Sequence, residues 1–396
     1  MSQIDSIDLD VLAQNIKDWA KALGFQHVGI CDVDLSQHTE HLQQWLDNHY
    51  YGQMDYFPER GMLRSDPAKL VPGTIRIISV SMDYLPPDAS FAKHLSDPTK
   101  GYVSRYALGR DYHKLVRKRL KQLGQKITAF CAETQFRPFV DSAPILEHAV
   151  AEKAGIGFTG KHSLTINPST GSWSFLGELL INLPLPIDTP ITDNCGSCTA
   201  CISICPTNAI VNDYIVDARK CISYLTIEHH GAIPVQYRQA MGNRIYGCDD
   251  CQLVCPYNRE APLTQETDFF AREPLHGNSL ATLFSWTEAE FLSHTEGSAI
   301  RRIGYAKWQR NLTVAIGNAP LDETLQQLLI NKSQYLHTAS TSDYIAYGFS
   351  VPPTPEQRAM LQEHLEWALA NHGQHESSRQ QARLVRSIQK GLVRDA

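Results

Sequence analysis

The chain has 396 residues and a net charge of −6, and its 42% hydrophobic and 20% charged residues are ordinary for a soluble globular protein. The total charge does not indicate nucleic-acid binding, which would need a local basic face. No apolar run reaches the roughly 18 residues of a membrane span, and the first residues show no export signal. These features predict a cytoplasmic protein of two or three domains with reduced cysteines.

Helices and strands alternate in the predicted first domain, residues 1–188. Apolar spacing predicts helices at 9–23, 40–49 and 111–132. β-rich runs predict strands at 27–31, 74–82 and 136–141, and two further strands, 163–167 and 173–183, are expected to pair with each other. The cations of the 111–132 helix are expected to form a solvated face. This region is predicted to be an α/β domain within an α+β multidomain protein.

Eight of the ten cysteines lie in one stretch, from Cys195 to Pro256. The first run has the spacing C-x2-C-x2-C-x3-C-P of bacterial ferredoxins that carry two 4Fe–4S clusters. The second run, C-x2-C-x3-C-P, lacks its first cysteine, and by elimination Cys221 takes that place. Because the last cysteine of each run ligates the other cluster, two full ligand sets follow. The first set is Cys195, Cys198, Cys201 and Cys255, and the second is Cys205, Cys221, Cys248 and Cys251.

Disulfides and zinc sites explain this stretch less well. A disulfide framework needs an oxidising compartment, which the missing export signal argues against. Zinc sites use paired C-x2-C units rather than a run that ends in Cys-Pro. We therefore predict a ferredoxin-like module at 189–262. The two remaining cysteines, Cys31 and Cys131, are expected to be core residues.

The last predicted domain, 263–396, is helical. Short helices at 287–294, 303–316, 322–330 and 356–370 predict a small α-solenoid of HEAT-like repeats, and a basic helix is expected to end the chain. Residues 334–355 are predicted to be a flexible insertion. Four cations without an acidic neighbour are predicted to form a phosphate-binding stripe. Trp308 lies between them in the sequence, but its helical spacing predicts a core position. The four are Arg301, Arg302, Lys307 and Arg310.

Six long segments carry a resemblance to one enzyme family. They are YVSRYALGRDYHK (102–114), RPFVDSAPILE (137–147), AEKAGIGFTGKHSL (151–164), CISYLTIE (221–228), MGNRIYGCDDCQLVCP (241–256) and EGSAIRRIG (296–304). These segments resemble epoxyqueuosine reductases, over residues 9 to about 330 and again from about 356. The resemblance implies a cytoplasmic enzyme with one cobalamin and two 4Fe–4S clusters. It implies the last step of queuosine synthesis, in which the epoxide of epoxyqueuosine at the wobble position of tRNA is reduced.

The resemblance also implies individual site residues. Asp141 matches the family's proton donor, and desolvation beside a corrin would raise the pKa of its carboxyl group. A helix N-cap is the alternative role for Asp141. No D-x-H-x-x-G motif is present, so we expect no protein histidine to ligate cobalt. The expected tRNA contacts are His230 and the four cations named above. The expected cobalamin contacts are Arg60, Tyr106, Asp141, Ser142, Lys161, Ser163, Thr165, Leu176 and Ser223.

The expected partners are tRNA and an external low-potential electron donor of the flavodoxin or ferredoxin type, with no membrane partner and a monomeric state. One alternative is a cobalamin-dependent reductive dehalogenase, which usually carries a twin-arginine leader and lacks a basic helical tail. Another is a ferredoxin-type electron carrier, which would not need about 190 residues before its clusters. A third is a tRNA-binding module with a structural cluster, which would bind RNA without turning it over.

Overall fold

The computed structural model describes residues 7–337, 340–374 and 378–391. Its strands are β1 (His27–Asp32), β2 (Arg76–Asp83), β3 (Tyr102–Val103), β4 (Phe136–Phe139), β5 (Phe158–Thr159), β6 (Thr165–Ile166), β7 (Ser174–Ile181), β8 (Ile210–Asn212), β9 (Ile215–Val216) and β10 (Arg244–Tyr246). The helices up to the end of the cysteine stretch are α1 (Leu9–Ala22), α2 (Thr39–Asp47), α3 (Tyr56–Arg60), α4 (Pro67–Leu70), α5 (Phe91–Ser96), α6 (Tyr112–Phe130), α7 (Glu147–Lys153), α8 (Ala200–Ile204), α9 (Ile222–Ile227), α10 (Val235–Met241) and α11 (Asp250–Leu253). The later helices are α12 (Leu280–Ser285), α13 (Glu288–His294), α14 (Gly304–Gly317), α15 (Glu323–His337), α16 (Thr341–Tyr347), α17 (Pro355–Asn371) and α18 (Arg379–Gly391).

A four-stranded sheet with the order β1-β2-β7-β4 forms the centre of the N-terminal region. Every pair in it is antiparallel, so the predicted α/β domain is mixed in composition but has no parallel βαβ unit in this sheet. The predicted pairing of 163–167 with 173–183 was wrong. β6 pairs with β5 instead, and β7 lies between β2 and β4. The reason is that β7 is buried almost throughout, which requires a neighbouring strand on each side.

Helices cover both faces of this sheet. On one face α1 and α6 contribute apolar residues such as Ile16 and Leu120, which pack with Leu179 of β7. On the other face α7 contributes Val150, which packs with Leu180. Because successive side chains of a strand point to opposite faces, Glu178 lies on the α7 side. Cys31 and Cys131 are buried in these cores, as predicted.

A second core holds the helices α12 to α17, grouped around α14. Almost every residue of α14 from Tyr305 to Gly317 is buried, and Trp308 is fully buried, as predicted from its spacing. The prediction of a flexible insertion at 334–355 was wrong for the residues that the structure describes. α15 continues to His337, α16 follows, and Phe349 packs with its ring centroid 5.0 Å from that of Tyr305. Residues 338–339 lie outside the described part.

The last helix, α18, does not join the helical core, although the predicted 263–396 domain includes it. Its buried residues Leu384 and Ile388 pack in the N-terminal core, together with Ile204 of α8 and Leu253 of α11. Arg394 of the predicted basic tail lies outside the described residues. Within the described residues, no helix is both long and apolar enough to span a membrane.

Candidate active site

A cavity of about 560 Å³ lies between the N-terminal sheet and the cysteine stretch. This volume is in the range of small-molecule and cofactor sites. Its wall includes Asp141, the strand ends around β6 and β7, and the start of α9. Arg302 and Glu228 stand at its edge, where they form an ion pair. The cavity therefore joins the three regions that the sequence assigned to catalysis, clusters and RNA.

The eight cysteines are brought together in the two predicted sets. Cys201 lies beside the other members of its set, and Cys251 lies beside Cys205 and Cys221. Cys248 also lies beside Cys251. Cys221 therefore lies with the second set, where it was predicted to replace the missing cysteine. None of these eight cysteines is part of a disulfide. Within the described residues, no three His, Cys, Asp or Glu side chains converge tightly enough to hold one metal ion. A four-iron cluster holds its cysteines around a larger group than one ion.

The two cysteine sets differ in their distance from the cavity. All members of the second set line the cavity, namely Cys205, Cys221, Cys248 and Cys251. In the first set, Cys198 is exposed, and Cys201 lies beside Cys251 of the second set. The two sets therefore lie next to each other, between the exposed Cys198 and the cavity wall.

Asp141 lies at the cavity wall in a strained backbone conformation. Its φ is 54°, which is uncommon for a non-glycine residue and is found preferentially at functional sites. Its Oδ2 lies 3.0 Å from Nε2 of His113, and Nδ1 of His113 lies 2.6 Å from Oδ1 of Asp111. Asp111 also caps the start of α6, which fixes the position of His113. The N-cap role considered for Asp141 was wrong, because the helix that follows it, α7, begins only at Glu147, and its N-cap is Leu146.

The protonation of this group differs from the prediction. The hydrogen bond from His113 lowers the pKa of Asp141, whereas we expected desolvation to raise it. Burial opposes the protonation of His113, but its hydrogen bonds to Asp111 and Asp141 outweigh burial and raise its pKa to about 9. At neutral pH the proton therefore resides on His113, and Asp141 is ionised. The sequence analysis missed His113, although the Asp-x-His spacing at a predicted helix start was a usable signal.

Two glutamates, of which Glu147 is half-buried and Glu178 is buried, lie behind Asp141. Glu147 accepts a hydrogen bond from the backbone N–H of Asp141 at 2.5 Å. Glu178 is fully buried on β7, where it interacts with Glu147. Burial and the charge of Asp141 raise the pKa of Glu147 to about 7, and burial beside Glu147 raises the pKa of Glu178 well above its usual range. The pair therefore holds at least one proton near neutral pH. No sequence signal distinguished Glu178 from an ordinary polar strand residue.

Most of the predicted cobalamin contacts lie in the cavity wall. These are Tyr106, Asp141, Ser163, Thr165, Leu176 and Ser223. Arg60 and Ser142 are exposed and are not part of that wall. Lys161 is buried, and its Nζ lies 3.0 Å from Oδ2 of Asp213. These three positions do not reach the cavity in this structure.

The cavity wall also offers polar groups that suit a corrin, whose rim carries amide side chains. His162 is 5% exposed, and its Nε2 has no hydrogen-bond partner in the described part of the chain. A buried polar atom without a partner is available to a bound ligand. Ser163, the next residue, has a φ of 68°. Nδ1 of His148 lies 2.8 Å from Oγ1 of Thr165, and burial lowers the pKa of His148 to about 4, so it stays neutral. The donor set therefore fits the predicted cofactor.

The predicted phosphate-binding stripe is only partly exposed. Arg301 is exposed, Arg302 pairs with Glu228, and His230 is exposed on the segment after α9. Lys307 donates hydrogen bonds of 3.3 Å to two backbone carbonyls, and burial lowers its pKa to about 8.

Arg310 corrects the prediction, because it is fully buried. Its guanidinium donates to the carbonyls of Leu225 at 2.7 Å, His229 at 2.9 Å and Gly231 at 2.8 Å. Arg310 therefore holds the segment 225–231 in place and is not available to phosphate.

Two family models match the chain. The model described as "Epoxyqueuosine reductase QueG, DUF1730" matches residues 64–142, and that described as "4Fe-4S double cluster binding domain" matches residues 194–258. An epoxyqueuosine reductase of Vibrio cholerae is 55% identical over 395 residues, which cover 98% of this chain and 100% of that protein. The enzyme of the same name from Escherichia coli is 54% identical over 399 residues, which cover 99% and 100%.

Solved structures give the same result. A crystal structure of epoxyqueuosine reductase with an epoxyqueuosine-modified tRNA stem loop has a TM-score of 0.79 and 26% identity, and 98% of this chain and 100% of that chain are covered. An epoxyqueuosine reductase structure from Bacillus subtilis, with its catalytic loop swung out of the active site, has a TM-score of 0.76 at 26% identity over the same shares. With identities of 55% and 54% along nearly its whole length, the chain belongs to the epoxyqueuosine reductase family.

Proposed function

We propose that this protein reduces the epoxide of epoxyqueuosine at the wobble position of tRNA to the cyclopentene of queuosine. The observation that carries the proposal is that Asp141 and the second cysteine set line one cavity. This arrangement places the Asp141–His113 pair, which can deliver a proton, and the thiols proposed to hold an electron-carrying cluster at the wall of one cavity. The reaction consumes two electrons and two protons and releases water, so it needs both.

We infer that cobalamin would bind in this cavity, where the residues that would hold it are Tyr106, Ser163, Thr165, Leu176 and Ser223. When bound, it supplies a low-valent cobalt centre that is strongly nucleophilic or reducing toward carbon, which no side chain can provide. The two 4Fe–4S clusters would be held by the two cysteine sets. An external low-potential donor would then deliver electrons near the exposed Cys198.

The chain's own contribution to the chemistry is the control of protons. His113 carries a proton at Nε2, 3.0 Å from Oδ2 of Asp141. As negative charge develops on the epoxide oxygen, Asp141 is placed to deliver that proton from His113 to it. Glu147, which accepts a hydrogen bond from the backbone N–H of Asp141, keeps Asp141 in position and stores a further proton with Glu178.

The substrate RNA would approach from the edge that carries Arg302. Arg301, Lys307 and His230 lie on neighbouring segments and remain the predicted contacts to the anticodon loop. We infer that the helices from α12 to α17 form the HEAT-like repeat domain that supports this edge. The support is that α14 packs between α12 and α17 while its polar residues bond the segment 225–231.

Anaerobic purification followed by iron and cobalt analysis tests the cofactor part of the proposal. We expect about eight irons per chain, as two four-iron clusters require, and tight binding of added cobalamin. The activity test is turnover of a stem loop that contains epoxyqueuosine, with the Asp141→Asn variant as the matched comparison. Asp141→Asn should still bind cobalamin but lose turnover. A protein with full iron and no affinity for cobalamin would refute the mechanism.

A further inference from the structure

The outer face of α6 is a strongly basic surface outside the predicted RNA contacts. Lys114, Arg117, Lys118 and Lys121 are exposed, and none of them forms an ion pair with a residue that the structure describes. The α6 sequence contains no Asp or Glu. Spacings of three and four residues place these side chains on one side of the helix, in a stripe about 10 Å long. We call these four residues the α6 cations.

The α6 cations begin at the edge of the cavity. Tyr112, the first residue of α6, lines the cavity, and His113 belongs to the proton-delivering pair. The backbone N–H of Asp111 donates to the carbonyl of Gly297 at 2.7 Å, which ties the start of α6 to the loop before Arg302. Within the first turn, Asp111 is also the acidic group that faces Lys114. The α6 cations therefore extend outward from the same edge on which Arg302 lies.

We propose that the α6 cations bind the phosphate backbone of the RNA stem that leads into the cavity. This inference rests on the proposed function, because a wobble nucleoside enters the cavity only if the adjoining stem lies against its edge. The stripe presents guanidinium and ammonium groups without apolar or aromatic neighbours on the same line. Such groups match a phosphate backbone, whereas a protein interface has a more apolar centre. On a chain of net charge −6, a local basic surface is what an RNA approach requires.

The experiment compares two variants of equal charge change in the cofactor-loaded, full-length protein. Glutamine replaces each cation, because it keeps a high helix propensity and removes the charge. The test variant is Lys114→Gln, Arg117→Gln, Lys118→Gln and Lys121→Gln. The control helix, α18, also has exposed cations and no acidic residue, but none of its residues lines the cavity. The control variant is Arg379→Gln, Arg383→Gln, Arg386→Gln and Lys390→Gln.

Binding of an anticodon stem loop that contains epoxyqueuosine is measured over a salt series. Near 0.1 M salt, the α6 variant should bind about tenfold or more weakly than wild type. Its slope of log affinity against log salt should shrink by about 3, because each of the four lost phosphate contacts removes about 0.7–0.9. The α18 variant should keep the affinity and slope of wild type.

Three results would overturn the proposal. One is an unchanged salt slope in the α6 variant, and another is an equal loss in the two variants. The third is an α6 variant that binds RNA normally and turns over with a chemical reductant, but fails with a protein electron donor. That result would assign the surface to an acidic redox partner instead. Turnover of the same stem loop by wild type, measured in parallel, separates failure of this inference from failure of the proposed function.

Discussion

Replacing Arg310 by methionine distinguishes a structural role from RNA binding at this position. Methionine fills much of the same volume but donates no hydrogen bond, so the carbonyls of Leu225, His229 and Gly231 lose their shared donor. A buried group left without its partner costs about 1–3 kcal/mol. Burial lowers the pKa of Arg310 to about 9, which shows that its charge is costly to bury. Removing this buried charge offsets part of the cost. We expect a net loss of about 3 kcal/mol.

The assay is the apparent melting temperature of the loaded protein, followed by circular dichroism under anaerobic conditions at one fixed scan rate. A loss of 3 kcal/mol corresponds to a fall of about 6–12 °C for domains of this size. Arg301→Met is the control, since this exposed residue should change stability by less than about 0.5 kcal/mol. If Arg310→Met melts like wild type but binds the RNA stem loop more weakly, the structural explanation is refuted and Arg310 contacts phosphate.

Three further predictions concern titrating groups. His113→Gln should slow single-turnover reduction at least about 100-fold, and wild-type rates should fall as pH rises through about 9, a decline that the variant lacks. The pKa of Glu147 is raised to about 7 in the folded protein. The folded protein therefore loses stability as the pH rises from the ordinary pKa of glutamate toward 7, because the carboxyl group ionises more easily in the unfolded chain. Glu147→Gln should therefore abolish a fall in melting temperature between pH 5 and about 8, and an identical fall would contradict this. Burial lowers the pKa of Lys332 to about 7. The folded protein therefore loses stability as the pH falls from the ordinary pKa of lysine toward 7, because the buried amine must take up a proton. Lys332→Met should raise the melting temperature most below about pH 7, and no gain there would count against it.

The convergence of the cysteines was predictable because their pattern is local. Ligation by three cysteines at fixed spacing constrains a short loop, so the spacing alone predicts which thiols converge. The helices α1, α6, α14 and α17 were likewise predicted to within a few residues, since their apolar periodicity is continuous. The assignment of Cys221 to the second set required only a count of the cysteines, because one place in that set was left open.

The failures share a different physical cause, which is long-range packing. Arg310 has the same local signature as Arg301, and only the carbonyls of a segment some 80 residues away make it a buried donor. The exposed basic side of α6 agrees with the predicted solvated face, but the closeness of its start to Asp141 was not predicted, because it depends on a contact 28 residues apart. In the same way, the aromatic residues Tyr347 and Phe349 anchor a segment whose serine and proline content predicted flexibility.

The position of the second cysteine set in the cavity wall has a consequence for handling the protein in air. Whatever fills the cavity also covers Cys205, Cys221, Cys248 and Cys251 from dissolved oxygen. The two sets should therefore differ in how they are damaged. The cluster near Cys198 is open to attack at all times, whereas the inner one is protected only while the cavity is filled. If cobalamin fills the cavity as proposed, its loss would leave a cluster held by the second set vulnerable, and retention of the cofactor would then determine the protein's lifetime in air.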